Sequence, residues 1–415
     1  MKTDQVNIVE LTEYIPVTLP RHALPEEVGE AVWRDYSPQV QIEFPSPATG
    51  WQWRLTSLGW VGHLPLPQGF ALRLLPRVDL GNLFLMLEYA YRLGSFRFLE
   101  GAYTADSIED FYSRLAGELA RRVLARSRRG FYHAYVGRSG SLPFVAGRLD
   151  AAALARRPWQ VAVECHFQEH TADVEENQIP AWALHTILRG GLCREPALNA
   201  VRRAHRTLQG TVSLQHFKAS DCYGRLYDRL NEDYRPLHSL CRFFLENTGP
   251  SHARGGREML PFMVNMARLF ELFVAEWLRE HVPPGWEFTA QEEFNVGQSG
   301  ALTFNIDLVL YDRASGSPLC VLDTKYKTAP QPKTDDIFQV VGYAEAKGCK
   351  EAVLLYPVPL AKPFDEKIGD IRVRSMTFSL SGDLNRSGES FVGELRGSLP
   401  APSEHWGSQA VIRHV

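Results

Sequence analysis

Thr303 to Tyr311 reads TFNIDLVLY and Leu319 to Tyr326 reads LCVLDTKY, with DRASGSP between them at 312–318. In the first run Phe304, Ile306, Leu308 and Leu310 alternate with Asn305, Asp307 and Val309, the period of a strand with one face turned to a core. The turn-forming link predicts a hairpin. In the second run the same period puts Asp323 and Lys325 on one face, where the hairpin can bring Asp307 beside them. Downstream, Thr334 to Gly348 predicts a helix. Thr334 or Asp335 can cap its start, Gly348 ends it, and Gln339 and Tyr343 stand four apart on one face. Glu351 to Tyr356, EAVLLY, returns as a buried strand.

Upstream, Leu260 to Glu280 (LPFMVNMARLFELFVAEWLRE) predicts an amphipathic helix with Met263, Met266, Phe270, Val274 and Trp277 in its apolar stripe. Glu271 falls at the margin of that stripe, a costly place for a carboxylate unless a cation or metal ion pairs with it. The expected order is therefore helix, strand, strand, helix, strand. Two acids and a lysine converging on one sheet face suit phosphodiester hydrolysis. Carboxylate oxygens hold Mg²⁺, which polarises a phosphate and lowers the pKa of an attacking water. The lysine can orient that water or neutralise charge on the phosphorus oxygens, and it offsets the repulsion between the acids.

The rest of the chain bounds this reading. Its 415 residues are 45% hydrophobic and 22% charged, an ordinary globular composition; at roughly 150 residues per domain, two or three domains are expected. With 45 Lys and Arg against 48 Asp and Glu the net charge is −3, so no global positive field holds a polyanion, and nucleic-acid contact must come from a local patch or a partner. No GxxxxGK[ST] loop is present, which excludes a P-loop nucleotidase. No apolar run nears the roughly 18 residues of a membrane span and no signal peptide opens the chain, so a cytoplasmic protein is expected. Cys165, Cys193, Cys222, Cys241, Cys320 and Cys349 are widely spaced without a CxxC pair, as for reduced and mostly buried thiols.

The segment NTGPSHARGGR (Asn247 to Arg257) reads as a linker, dividing an N-terminal mixed β/α domain, 1–250, from a C-terminal domain, 257–415. The first 80 residues read as short strands of a small sheet or barrel, followed by helices over Leu83 to Leu93 and Ile108 to Leu124. The second ends in Arg121, Arg122, Arg126, Arg128 and Arg129, read as a solvated helix end or a contact for DNA or a partner. The tail after Leu380 reads as loops with one short strand. His166, Glu169 and His170 spell HxxEH, the inverted zinc-peptidase motif. That motif needs a helix. Here Val161, Val163, Cys165 and Phe167 sit at strict period two, so a strand is expected and the glutamate points away from the histidines.

Asp307, DTKYK (Asp323 to Lys327) and QVVGY (Gln339 to Tyr343) resemble the PD-(D/E)xK nuclease superfamily in its RecB-like branch, and more closely the McrC family of McrBC-type modification-dependent restriction systems. The resemblance extends to VAGRLD (Val145 to Asp150), to CHFQEHTADVEENQIPAWAL with Asp173 and Asn177, to YRPLHSLCRFFLEN (Tyr234 to Asn247) and to MARLFELFV (Met266 to Val274). It implies an α/β, overall α+β, architecture: a mixed β/α N-terminal domain, then a restriction-endonuclease-like domain with a central mixed sheet flanked by helices. It implies a Mg²⁺- or Mn²⁺-dependent DNA endonuclease working with a separate McrB-like AAA+ GTPase ring, which it stimulates and which recognises methylated DNA. Asp307 and Asp323 would be metal ligands, Lys325 the catalytic lysine, Glu271 an accessory ligand, and Gln339 and Tyr343 supports of the site or contacts to the phosphate backbone. Ile306 stands where the motif has its proline. Two other readings remain: a catalytically idle activator or scaffold of a AAA+ ring, and a stand-alone RecB-like repair nuclease. The ring-binding residues are expected in the Arg121 to Arg129 cluster or in a loop around Gly137 to Ser141.

Overall fold

The computed structural model describes residues 7–93, 107–157, 159–249, 260–296, 302–327 and 329–399. The linker from residue 250 and the tail beyond 399 fall outside that range. The N-terminal segment contains β1 (Asn7–Thr12), β2 (Val17–Pro20), α1 (Glu26–Tyr36), β3 (Val40–Glu43), β4 (Gln52–Ser57), β5 (Trp60–Pro65), β6 (Phe70–Leu75) and α2 (Leu80–Ala90). The middle contains α3 (Ile108–Arg129), β7 (Ala134–Leu142), β8 (Arg148–Leu149), α4 (Ala151–Arg156), β9 (Val163–Thr171), α5 (Glu175–Gly190), α6 (Ala197–Gln209) and α7 (Tyr234–Asn247). The C-terminal segment contains β10 (Phe262–Asn265), α8 (Met266–His281), β11 (Trp286–Val296), β12 (Leu302–Asp312), β13 (Pro318–Thr324), α9 (Thr334–Lys347), β14 (Glu351–Tyr356), β15 (Asp365–Ile368), β16 (Ile371–Thr377) and α10 (Leu384–Ser398).

The chain does not divide at the linker. One compact unit joins Met1–Thr104 to Met263–Val415, and the other is Ala105–Phe262. The reason is β10. It pairs beside β5 at the edge of the sheet β1-β6-β5-β10, and Met263 enters the apolar cluster formed by Leu11, Val28, Trp53, Leu55, Leu64 and Leu72. The same strand shortens the expected helix at 260. Asn265 caps α8, its Oδ1 accepting from Arg268 N at 3.1 Å, so the helix begins at Met266. The first 80 residues form two small sheets rather than one, and α1 lies among their strands.

Six strands in the order β11-β12-β13-β14-β16-β15 make the main sheet. It is mixed: β11, β12 and β13 are antiparallel neighbours, β13, β14 and β16 are parallel, and β15 returns antiparallel. Parallel pairing of β13 with β14 needs a crossover, and α9 supplies it. Its C-terminus closes on Gly348 in the left-handed region, φ 71°. At its start the structure departs from expectation. Lys333 is the capping position, and the carboxylate of Asp336, not Thr334 or Asp335, accepts the Lys333 N–H at 3.3 Å. The strand β11 was not foreseen and lies between helix and hairpin. Leu308, Val309, Val321, Leu322, Leu354 and Leu355 are fully buried, so the middle of the sheet is covered.

The tail read as loops forms α10. Asp383 caps it, and Leu384, Phe391 and Leu395 are buried. It lies on α8, where a Cβ on Gly388 would stand 2.3 Å from the buried Trp277 ring. In the second unit Tyr112 meets Phe244 and Phe262 edge-on, at centroid distances of 5.1 and 4.8 Å, and β7, β9 and β8 form a three-stranded sheet. No helix among the described residues is long and apolar enough to cross a membrane, and all six cysteines are free. Overpacking a full core typically costs about 1–3 kcal/mol, so Gly388→Ala is expected to lose about that much in denaturant unfolding; an unchanged midpoint would show that α10 can lift off Trp277.

Candidate active site

β12 and β13 pair with Leu308 opposite Leu322 and Val309 opposite Val321, a register that carries Asp307 opposite Asp323. Residues opposed across a ladder share a face roughly 5 Å apart, and like charges there repel. The local sequence answers with donors. Thr324 donates its backbone N–H and its Oγ1 to Asp307 Oδ2, each at 2.8 Å, while Lys325 Nζ stands 2.6 Å from Asp323 Oδ2. Burial, and then the Asp307 charge, push the Asp323 carboxyl up to about 7 against the opposing pull of Lys325. Burial works against the Lys325 charge, yet Asp323, Asp336 and Asp307 together raise it above the ordinary lysine value. It stays an ammonium.

That ammonium is aimed. Lys325 Nζ donates to Gln339 Oε1 at 2.9 Å, and Gln339 Nε2 donates to the Tyr343 hydroxyl at 2.7 Å. The Tyr343 ring in turn lies edge-on to Phe304, centroids 5.3 Å apart. The structure thus brings Asp307, Asp323, Lys325, Gln339 and Tyr343 into one connected set. Glu271, half-buried on α8, is turned to Arg268 Nη1 at 2.9 Å and to the Gln291 amide. Burial, then the Asp307 charge, push its carboxyl up to about 7 against Arg268, with Asp323 adding to the rise. It therefore feels both acids without joining them: among the described residues no three His, Cys, Asp or Glu side chains converge as a ready-made metal cage.

The donor set nevertheless fits a hard divalent cation, which takes one or two carboxylates and keeps several waters. Asp323 Oδ2 is buried and, beyond its ion contact with Lys325, has no hydrogen-bond partner among the described residues. A carboxylate has lone pairs beyond the one that Lys325 takes, and these are what a cation would use.

Several contributors escaped sequence reading. Thr324 sits between Asp323 and Lys325, and only the register reveals its role. Asp336 faces Lys327 in an ion pair and Lys325 at 3.9 Å. Tyr326 donates to Glu13 Oε2 at 2.9 Å, across 313 positions of chain, and its ring lies 6.0 Å from that of Phe270. Glu13 is fully buried; burial pushes its carboxyl up to about 7, partly offset by Tyr326 and Arg77.

Elsewhere the HxxEH stretch lies on β9, a strand as expected. Ser139 Oγ and His166 Nδ1 are 2.7 Å apart, while Glu169 pairs with Arg138 at 3.1 Å. In the arginine cluster, Arg121 and Arg122 pair with Glu118 and Arg126 with Asp233 at 3.3 Å, while Arg128 and Arg129 are exposed. Gly137 to Ser141 is no loop, since it lies inside β7.

The fold and this site define a mixed α/β protein whose central sheet carries an acid pair and a lysine. The family model described as McrBC 5-methylcytosine restriction system component matches residues 55–357, and the chain belongs to that family. A chain in a refined half-complex of Thermococcus gammatolerans McrB AAA+ hexamers with bound McrC is similar with a TM-score of 0.55 at 16% identity, over 94% of this chain and 100% of that one. At that identity the likeness shows the fold. A cryo-EM structure of the Thermococcus gammatolerans McrBC complex is similar with a TM-score of 0.42 at 17% identity, over 66% of this chain and 87% of that one, too low to carry an argument. Comparison with curated proteins returned no match.

The raised Glu13 pKa has a definite sign. Between about 4.5 and about 7 the folded chain keeps a proton that the unfolded chain has released, so stability falls as pH rises through that window. Glu13→Gln lacks this term and should gain melting temperature relative to the parent as pH rises from 5 to 7.5; a constant gap across that range would refute the assignment.

Proposed function

We propose that this chain is the endonuclease subunit of a modification-dependent restriction complex, cutting DNA with Mg²⁺ or Mn²⁺ and working with a McrB-like AAA+ GTPase ring. The observation that carries the reading is the in-register opposition of Asp307 and Asp323 with Lys325 beside them. Such an arrangement is destabilising in a sheet interior and has an evident use in holding a cation. Asp307 and Asp323 would hold the metal, with Glu271 within electrostatic reach, and the metal when bound would polarise the phosphate and acidify a water.

The chain's own residues supply the rest. Lys325, fixed by Asp323 and Gln339, presents a cation to the phosphate oxygens as charge builds on them. Gln339 takes its direction from Tyr343, so the helix α9 sets where the ammonium points. An idle scaffold would have no need of this connected set. A stand-alone repair nuclease would need its own grip on DNA, which a net charge of −3 does not provide.

Docking to the ring is assigned to the sheet β7-β9-β8 and its flanks, in place of the arginine cluster. Tyr135, Phe144, Val145, Trp159 and Val161 are exposed there, at 62–93% of their surfaces. A concentration of large apolar side chains of this kind marks an interaction surface. The neighbour solved with McrB hexamers names the kind of partner. The reading also holds that the ring recognises methylated DNA and that this chain stimulates its GTPase.

Asp323→Ala or Lys325→Ala should lower cleavage of methylated DNA by the reconstituted complex at least ~10²-fold, the scale of losing one preorganised charge at a reacting centre, while GTP hydrolysis stimulated by this chain stays at the parental rate. Loss of both activities would instead assign these residues a structural role. Tyr135→Ala combined with Trp159→Ala should do the reverse, weakening ring association and GTPase stimulation in a pull-down and a phosphate-release assay; retention of both would move the docking site elsewhere.

A further inference from the structure

Gln291 is a glutamine in the left-handed region, φ 53°, inside a strand. Long side chains seldom tolerate that conformation, and where they do the strain is held by the surroundings and tends to gather at functional positions. The pairs Ala290–Leu308 and Glu292–Ile306 on either side place it opposite Asp307 in the ladder. Its amide donates to the Glu271 carboxylate, and its carbonyl oxygen accepts from Arg268 Nη1 at 3.1 Å. Arg268 itself holds Glu271 at 2.9 Å. Glu271, Arg268 and Gln291 therefore close a three-membered hydrogen-bonded ring beside the acid pair.

We propose that Gln291 is a positioning residue of the cation site: its amide holds the Glu271 carboxylate as the outer ligand facing Asp307 and Asp323. The proposal rests on the nuclease reading and deepens it. Opposite Asp307, Gln291 stands on the sheet face that carries Asp307, where Asn305 Nδ2 lies 3.5 Å from its carbonyl oxygen. From that face its side chain reaches the α8 carboxylate. Residues that orient a metal ligand typically govern affinity by about 10–100-fold.

Two variants separate the amide from the backbone. Gln291→Gly relieves the φ strain and removes the amide; Gln291→Met keeps a side chain of similar length and the strain but donates nothing. Mn²⁺ binding to the full-length protein is measured by titration calorimetry, beside the parent and Asp323→Ala, and the Mn²⁺ dependence of cleavage is followed in the reconstituted complex. Both variants should bind Mn²⁺ about 10-fold or more weakly and should need correspondingly more Mn²⁺ for half-maximal cleavage. Thermal melting should show Gln291→Gly folded and no less stable than the parent. Parental Mn²⁺ affinity in Gln291→Met would overturn the proposal and leave the nuclease reading standing. A parent that binds no Mn²⁺, or binds it equally well as Asp323→Ala, would overturn both.

Discussion

Two carboxylates set opposite each other in a buried sheet are the constraint on which the rest depends. Water would separate them at no cost; a ladder cannot. The chain meets the repulsion locally, with two donors from Thr324 on Asp307 and an ammonium from Lys325 on Asp323. The surroundings make those local answers rigid. β12 and β13 lie inside the six-stranded sheet with β11 and β14 on their outer sides, and Ile306, Leu308, Val309, Leu310, Val321 and Leu322 are fully buried. A charged cluster on such a frame cannot relax by splaying its strands, so the repulsion must be met by donors and cations held in place.

Much of this was legible because it is local. Period two in TFNIDLVLY and LCVLDTKY, a turn between them and a helix ended by Gly348 need no long-range information, and the structure has each in place. What failed depends on distant packing. The α10 segment carries Gly388, Gly393 and Gly397, each costing about 1 kcal/mol in a helix interior, so its propensity argues for loops. Trp277 reverses the argument, since only glycine fits against that ring at 388. β11 was missed because Glu292 interrupts an apolar alternation of Trp286, Phe288, Ala290 and Phe294. In the fold that glutamate is bound by Lys347 and by the Tyr311 hydroxyl, partners 55 and 19 positions away.

Domain division failed for a related reason. A linker can be read from composition, but a strand that completes a sheet begun at Asn7 cannot. Pairing of β10 with β5 and the burial of Met263 beside Leu11 and Trp53 bind the first hundred residues to the part of the chain that carries the acids. Tyr326 shows why that matters for the site. Its neighbour in sequence is Lys325, and its hydroxyl is held by Glu13 from the end of β1. The N-terminal sheet is thus part of the frame that fixes the lysine's strand.

Ile306 shows the same logic, at the position where the nuclease motif that this stretch resembles has a proline. β12 is paired on both sides, with β11 and with β13. A proline there would remove a ladder N–H from a strand with neighbours on both edges and is tolerated chiefly at sheet edges and bulges. Isoleucine keeps the donor, and its side chain is fully buried in the cluster that also takes Tyr343 and Val340 from α9. The residue before Asp307 therefore packs against the helix that carries Gln339 and Tyr343, the two side chains that aim Lys325. Strand pairing and helix packing, rather than a fixed φ, hold the acid's position.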